Sequence, residues 1–172
     1  MKSFFELASE RYSVRAYRPD AVEDEKIEKI LLAGLLAPTA RNSQPQKIYV
    51  LKSEEARRKL SAVTPCTFNA PVVFVIGYDE DRVCPGKVYP GYTFGNTDAA
   101  IVGTHMMLEA ADLGLGTCWV GWFAEDEVKN ALSLPENFRV CDLMPLGYAA
   151  ENAVPAPLHK QSRSLEETAE YI

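Results

Sequence analysis

Apolar residues recur at helical spacing in two stretches near the N-terminus: Phe4, Leu7 and Ala8 within residues 4–11, and Ile27, Ile30, Leu31 and Ala33 within residues 24–38. Intervals of three and four residues place these side chains on one face of a helix, which predicts two amphipathic helices. The acidic run at 23–25 suits the positive end of the second helix, and Pro38 marks its stop. The pattern then changes. "KIYVLK" (47–52) and "APVVFVIGY" (70–78) are short, β-branched and aromatic, which predicts strands. The second is apolar on both faces, as a strand in the middle of a sheet must be. Residues 98–113, "DAAIVGTHMMLEAADL", are apolar nearly all round, which predicts a helix buried on most sides, and "GLG" (114–116) ends it. "TCWVGW" (117–122) and "RVCDLMPLGYA" (139–149) predict two more strands, residues 125–132 a short helix, and "SLEETAEYI" (164–172) a closing segment. Residues 84–96 and 149–163 are rich in Pro, Gly and polar side chains and predict loops.

This alternation predicts an α+β fold with helices packed around a central sheet. The 172 residues suffice for a single domain spanning 1–172, and 47% hydrophobic with 24% charged residues is an ordinary globular composition. The formal net charge of -6 argues against a broad nucleic-acid surface, so any anion site is local. The N-terminus lacks a secretory pattern and no apolar run reaches the ~18 residues of a membrane span, which points to a soluble protein of the cytoplasm. Cys66, Cys84, Cys118 and Cys141 are scattered, without a C-x-x-C pair, so they are expected to pack as small hydrophobes and not to hold a metal.

Against that acidic background "ERYSVRAYRP" sets Arg11, Ser13, Arg15 and Arg18 within eight residues. A solvated basic turn would explain them, since exposed arginines are common. A second basic cluster, "HKQSR" (159–163), offers the other explanation: two cationic segments folded together satisfy a phosphate. "APTARNSQP" (37–45) supplies Asn42 and Gln44, whose amides donate and accept, as the edge of a heterocycle with alternating C=O and N–H requires; turn chemistry explains them equally well. In "GLGTCWVGWF" (114–123) the glycine at 121 falls within a predicted strand, where it leaves the backbone near Val120 approachable. No G-x-G-x-x-G follows a strand, and no nucleophile elbow is present.

Taken in order, "RYSVR", "APTARNSQP", "DAAIVGTHMMLEAADLGLGTCWVG" and the basic segment before "SLEE" resemble the nitroreductase family of FMN-dependent oxidoreductases, over almost the whole chain. The resemblance implies a central, mostly antiparallel sheet wrapped by helices, a homodimer, and FMN held at the subunit interface. It implies that Arg11 and Ser13 bind the phosphate end of FMN, with Arg163, assisted by Lys160, joining them from the C-terminal cluster, and that Tyr12 is a further cofactor-binding residue. Arg15 matches a basic residue beside the pyrimidine edge, where positive charge favours the reduced flavin. Asn42 and Gln44 match residues at the polar edge of the ring or the ribityl chain, and Val120 and Gly121 the place where a backbone N–H faces N5. The implied reaction takes hydride from NAD(P)H and passes electrons to a small acceptor such as a nitroaromatic or quinone; no acidic or basic catalytic side chain is needed. The alternative is a flavin-binding storage, sensing or scaffold protein without efficient turnover, its pocket closed by Trp122. The sequence departs from the family at Gln46, where an aromatic residue is usual, and at Trp122, which is bulkier than the usual residue. His105 is expected to be a satisfied helix histidine and not a proton donor.

Overall fold

A computed structural model describes residues 3–85 and 92–172. Along the chain lie α1 (Phe4–Glu10), α2 (Asp24–Leu35), β1 (Gln46–Leu51), α3 (Glu54–Ser61), β2 (Val72–Asp79), α4 (Phe94–Asp112), β3 (Gly116–Thr117), α5 (Glu125–Leu132), β4 (Phe138–Gly147) and α6 (Leu165–Thr168). The strands form one four-stranded sheet in the order β1-β2-β4-β3, and every pairing of named strands is antiparallel.

Period-2 alternation along β2 divides the core. Val72, Phe74 and Ile76 point to the face covered by α2 and α4, where they meet Ile27, Ile30, Val102 and Met106. Val73 and Val75 point the other way, onto Leu60 of α3 and Val128 of α5. Both faces of β2 are dry, and its continuous apolar run is the consequence. Helix α4 is apolar over most of its surface because it is packed against both the sheet and α2. It ends in a Schellman arrangement: Gly114 takes φ 75°, Leu115 N–H donates to Ala110 O at 2.8 Å, and Gly114 N–H donates to Ala111 O at 3.1 Å.

The larger departures from the sequence expectation lie at α3, α4 and β3. Helix α4 starts at Phe94, ahead of residue 98, because the Thr93 hydroxyl caps it by accepting from Gly95 N–H at 3.2 Å. Of the predicted loop 84–96, residues 86–91 lie outside the described residues and its last three belong to α4. Helix α3 was not expected at all: Ala56 and Leu60 are its whole apolar face, although Ser53 caps it and Glu54 and Glu55 follow. The predicted strand 117–122 is in the ladder only at Gly116–Thr117 and again at the Val120–Leu143 bridge. Opposite Cys118 stands Pro145, which accepts at 3.4 Å but has no N–H to return, so the ladder lapses there. His105 is satisfied within α4, its Nδ1 lying 2.9 Å from Ile101 O, as expected.

Between β2 and β4 the register slips: Ile76 faces Asp142 while Gly77 faces Val140, which leaves Cys141 as the extra residue of a bulge. A Cβ on Gly77 would lie 1.9 Å from Arg139 O, so only glycine fits. The bulge buries Asp142, and burial pushes its carboxyl from 3.8 up to about 7, opposed by a hydrogen bond from Trp119. Burial, with the carboxyls of Asp142 and Glu125, pushes the neighbouring Cys141 thiol up to about 12. Because the folded Asp142 holds its proton to higher pH than the unfolded chain, the unfolded state binds fewer protons in the window between those two values. Stability therefore falls as pH rises from about 4 to about 7. Asp142→Asn keeps an acceptor for Trp119 without a charge. We predict that urea unfolding finds it more stable than the parent by on the order of 1–2 kcal/mol at about pH 8 and by little at about pH 4. An equal effect at both pH values, or a loss at the higher one, contradicts this.

Candidate functional site

Helix α1 stops at Glu10 because Arg11 leaves the helical region, at φ -59° and ψ 135°, and the chain runs on in extended form. Residues 12–18 then dock on the sheet's β3 edge. Ser13 forms a parallel bridge with Thr117 and Tyr17 an antiparallel one with Ala149. Val14 N–H donates to Thr117 O at 2.9 Å, and Ala150 N–H to Ala16 O at 3.0 Å. The Tyr17 hydroxyl donates to Val14 O at 2.8 Å and to Pro145 O at 3.2 Å; its burial pushes the phenol above its ordinary range. Extended backbone alternates its side chains, so with Val14 buried, Ser13 and Arg15 project to the same side.

Arg11, Tyr12, Ser13 and Arg15 together wall a concavity of about 250 Å³, closed on its other side by Ala156, Leu158 and His159. Tyr12 ties the two walls: its hydroxyl donates to Ala153 O at 3.0 Å, and its ring meets that of His159 edge-on at 6.2 Å. Among the described residues neither Arg11 nor Arg15 is ion-paired; the arginine ion pairs are those of Arg18 with Asp20 and of Arg139 with Glu80 and Glu125. Arg15 makes one long bond, to Ser13 O at 3.4 Å. Cys118 lies behind the concavity, and burial pushes its thiol up, offset in part by Arg15, by a hydrogen bond with Ser13 and by Arg11. Two guanidinium forks and a hydroxyl around one small hollow form a donor set that fits a terminal phosphate.

The other expected site residues are arranged differently. Asn42 and Gln44 are exposed on the turn between α2 and β1 and line no part of this concavity. Lys160 and Arg163 are exposed as well and stand beyond it; the C-terminal segment meets the N-terminal one through Ala156, Leu158 and His159 instead. Sequence reading missed these three, although His159 opens the "HKQSR" cluster that drew attention. Val120 N–H is taken by Leu143 O at 3.0 Å, so of the expected pair only Gly121 has its N–H unengaged among the described residues. Gly121 is exposed, and a Cβ on it would meet nothing within 4 Å. Trp122 is 81% exposed and borders a separate hollow with Val63, Thr64, Pro65, Phe123 and Ala124. Trp122 thus does not close the concavity beside Arg11. Gln46 opens β1, and its Oε1 is buried without a partner.

The fold matches that of known proteins. A sequence model of the Nitroreductase family matches residues 8–68 and 64–148. A crystal structure of a nitroreductase family protein from Clostridium difficile 630 superimposes with a TM-score of 0.91 at 35% identity, covering 99% of this chain and 98% of that one. The structure of an FMN-dependent nitroreductase from Clostridium difficile R20291 superimposes with a TM-score of 0.75 at 27% identity, covering 93% and 98%. A protein of Archaeoglobus fulgidus provisionally named NADH dehydrogenase/NAD(P)H nitroreductase is 32% identical over 157 residues, 86% of each chain. The chain belongs to the nitroreductase family.

Proposed function

We propose that this chain is an FMN-dependent NAD(P)H oxidoreductase of the cytoplasm, one domain per subunit, working as a homodimer. One observation carries the reading: Arg11 and Arg15, without carboxylate partners among the described residues, line one hollow together with Ser13. FMN has a terminal phosphate for that hollow, and a relative of similar fold is FMN-dependent.

Arg11 and Ser13 hold the phosphate, Arg15 holds positive charge toward the pyrimidine edge, and Gly121, whose N–H is unengaged among the described residues, offers it toward N5. Bound FMN supplies hydride acceptance from NAD(P)H and electron delivery to a small acceptor such as a nitroaromatic or quinone. The chain's own work is to bind, orient and exclude water, which needs no proton-transferring side chain. Asn42, Gln44, Lys160 and Arg163, which do not line the hollow, reach the flavin from a second copy. Exposed apolar side chains favour such a partner: Phe4 and Phe5 on α1 are 72% and 80% exposed, and Leu35 and Leu36 at the end of α2 are 62% and 82%.

Anaerobic stopped-flow mixing of the FMN-loaded protein with NADH and with NADPH is expected to bleach the visible flavin band within seconds for at least one of them. A band that persists with both contradicts the oxidoreductase reading. Arg15→Ala is expected to lower the flavin's reduction potential: loss of ~1 kcal/mol of charge stabilisation corresponds to about 20 mV for a two-electron couple. An unchanged potential removes Arg15 from the pyrimidine edge.

A further inference from the structure

The turn joining α2 to β1 is strained. Arg41, Asn42 and Gln44 all take left-handed backbone conformations, at φ 52°, 55° and 48°, and none is glycine. Each such residue costs roughly 1 kcal/mol, Asn the least, so the surroundings must hold the turn in place. Local bonds do part of this: Asn42 N–H donates to Thr39 O at 2.9 Å, and Gln44 N–H to the Thr39 hydroxyl at 3.1 Å. At its far end Pro45 O accepts from Asp79 N–H of β2 at 2.9 Å. At its near end the tie is a side chain. Asp98, in the second turn of α4 and 3% exposed, accepts from Ala40 N–H through Oδ1 at 3.0 Å.

A second observation singles out the same place. The buried side-chain polar atoms without a partner, among the described residues, are Asp98 Oδ2, Ser43 Oγ and Gln46 Oε1. Ser43 lies in this segment, Gln46 is the first residue of β1 just past it, and the third atom is on the carboxyl that fastens the turn. Unpaired buried polar atoms are rare, and a native chain that clusters them beside strained backbone holds that backbone for a use. A core without function would place an apolar residue at 98, where Ala99 and Val102 are already fully buried.

We propose that Asp98 is a positioning residue for the flavin site: through Ala40 it fixes the left-handed turn that presents Asn42 and Gln44. This rests on the flavin reading given above. Asp98 touches no cofactor; it sets where two amide side chains stand, so its loss weakens flavin binding through the turn.

Three variants test it by FMN titration of apoprotein, thermal melting, and amide hydrogen exchange at Ala40 and Asn42. Asp98→Asn keeps the Oδ1 acceptor and is expected to bind FMN within about threefold of the parent. Asp98→Leu removes the acceptor and is expected to bind about tenfold more weakly, with exchange at Ala40 and Asn42 faster by a similar factor while β2 amides are unchanged. Val102→Ala, one turn further along α4, lowers the melting temperature without touching the turn and is expected to bind FMN as the parent does. If Asp98→Leu does not fold, Asp98→Glu, which displaces the acceptor by one methylene, takes its place with the same expectation. The proposal is overturned if the acceptor-removing variant binds FMN like the parent, if Asp98→Asn is as weak as that variant, or if Val102→Ala is. Failure of the parent itself to bind FMN overturns the flavin reading instead; exchange at Ala40 and Asn42 in the apoprotein then decides whether Asp98 fixes the turn.

Discussion

Where Val14 crosses Gly116 the chain has no room for a Cβ, since one on the glycine would lie 2.5 Å from Val14 Cγ2. That close approach lets residues 13–14 lie along β3 as though they were a further strand, with Val14 N–H bonded to Thr117 O, while residues 16–18 go on to pair with 148–150. The extended conformation fixes the rest: alternate side chains part, Val14 enters the core, and Ser13 and Arg15 face outward together. Arg11 joins them because the helix before it ends one residue earlier. A cationic hollow in a chain of net charge -6 thus depends on one glycine and on the alternation of an extended segment.

Much of this was legible in the sequence because it rests on periodicity. The apolar run of β2, the amphipathic stripe of α2 and the all-round apolar α4 each carry the signature of their burial, and α5 begins and ends where its pattern does. Elements held by few contacts were not legible: α3 turns only Ala56 and Leu60 inward, and β3 is two residues long because Pro145 interrupts its partner. The start of α4 was hidden by Gly95 and Asn96, poor helix formers that Thr93 caps.

The candidate site was legible as chemistry more than as geometry. Arg11, Ser13 and Arg15, close together in an acidic chain, mark a candidate anion site in the sequence, whereas Arg18 of the same stretch pairs with Asp20 instead. Which C-terminal residues meet them depends on the path of residues 149–163, where no periodicity fixes the register; Leu158 and His159, not Lys160 and Arg163, stand against Tyr12 and Arg11. The strain at Arg41 and Gln44 has no signature in residue types, since neither favours the left-handed region that Asn42 tolerates, and Asp98 reads in sequence only as a helix residue.

The central claim is that Arg11 and its neighbours bind a phosphate, and the phosphate can be isolated by comparing FMN with riboflavin, which lacks it. Titration of the apoprotein with each flavin by fluorescence quenching is the direct measurement. The parent is expected to prefer FMN by about thirtyfold or more, and Arg11→Ala to lose most of that preference while its riboflavin affinity stays level, because a charge-assisted contact contributes about 2 kcal/mol. Equal affinity of the parent for the two flavins, or a preference for FMN that Arg11→Ala retains in full, contradicts the account.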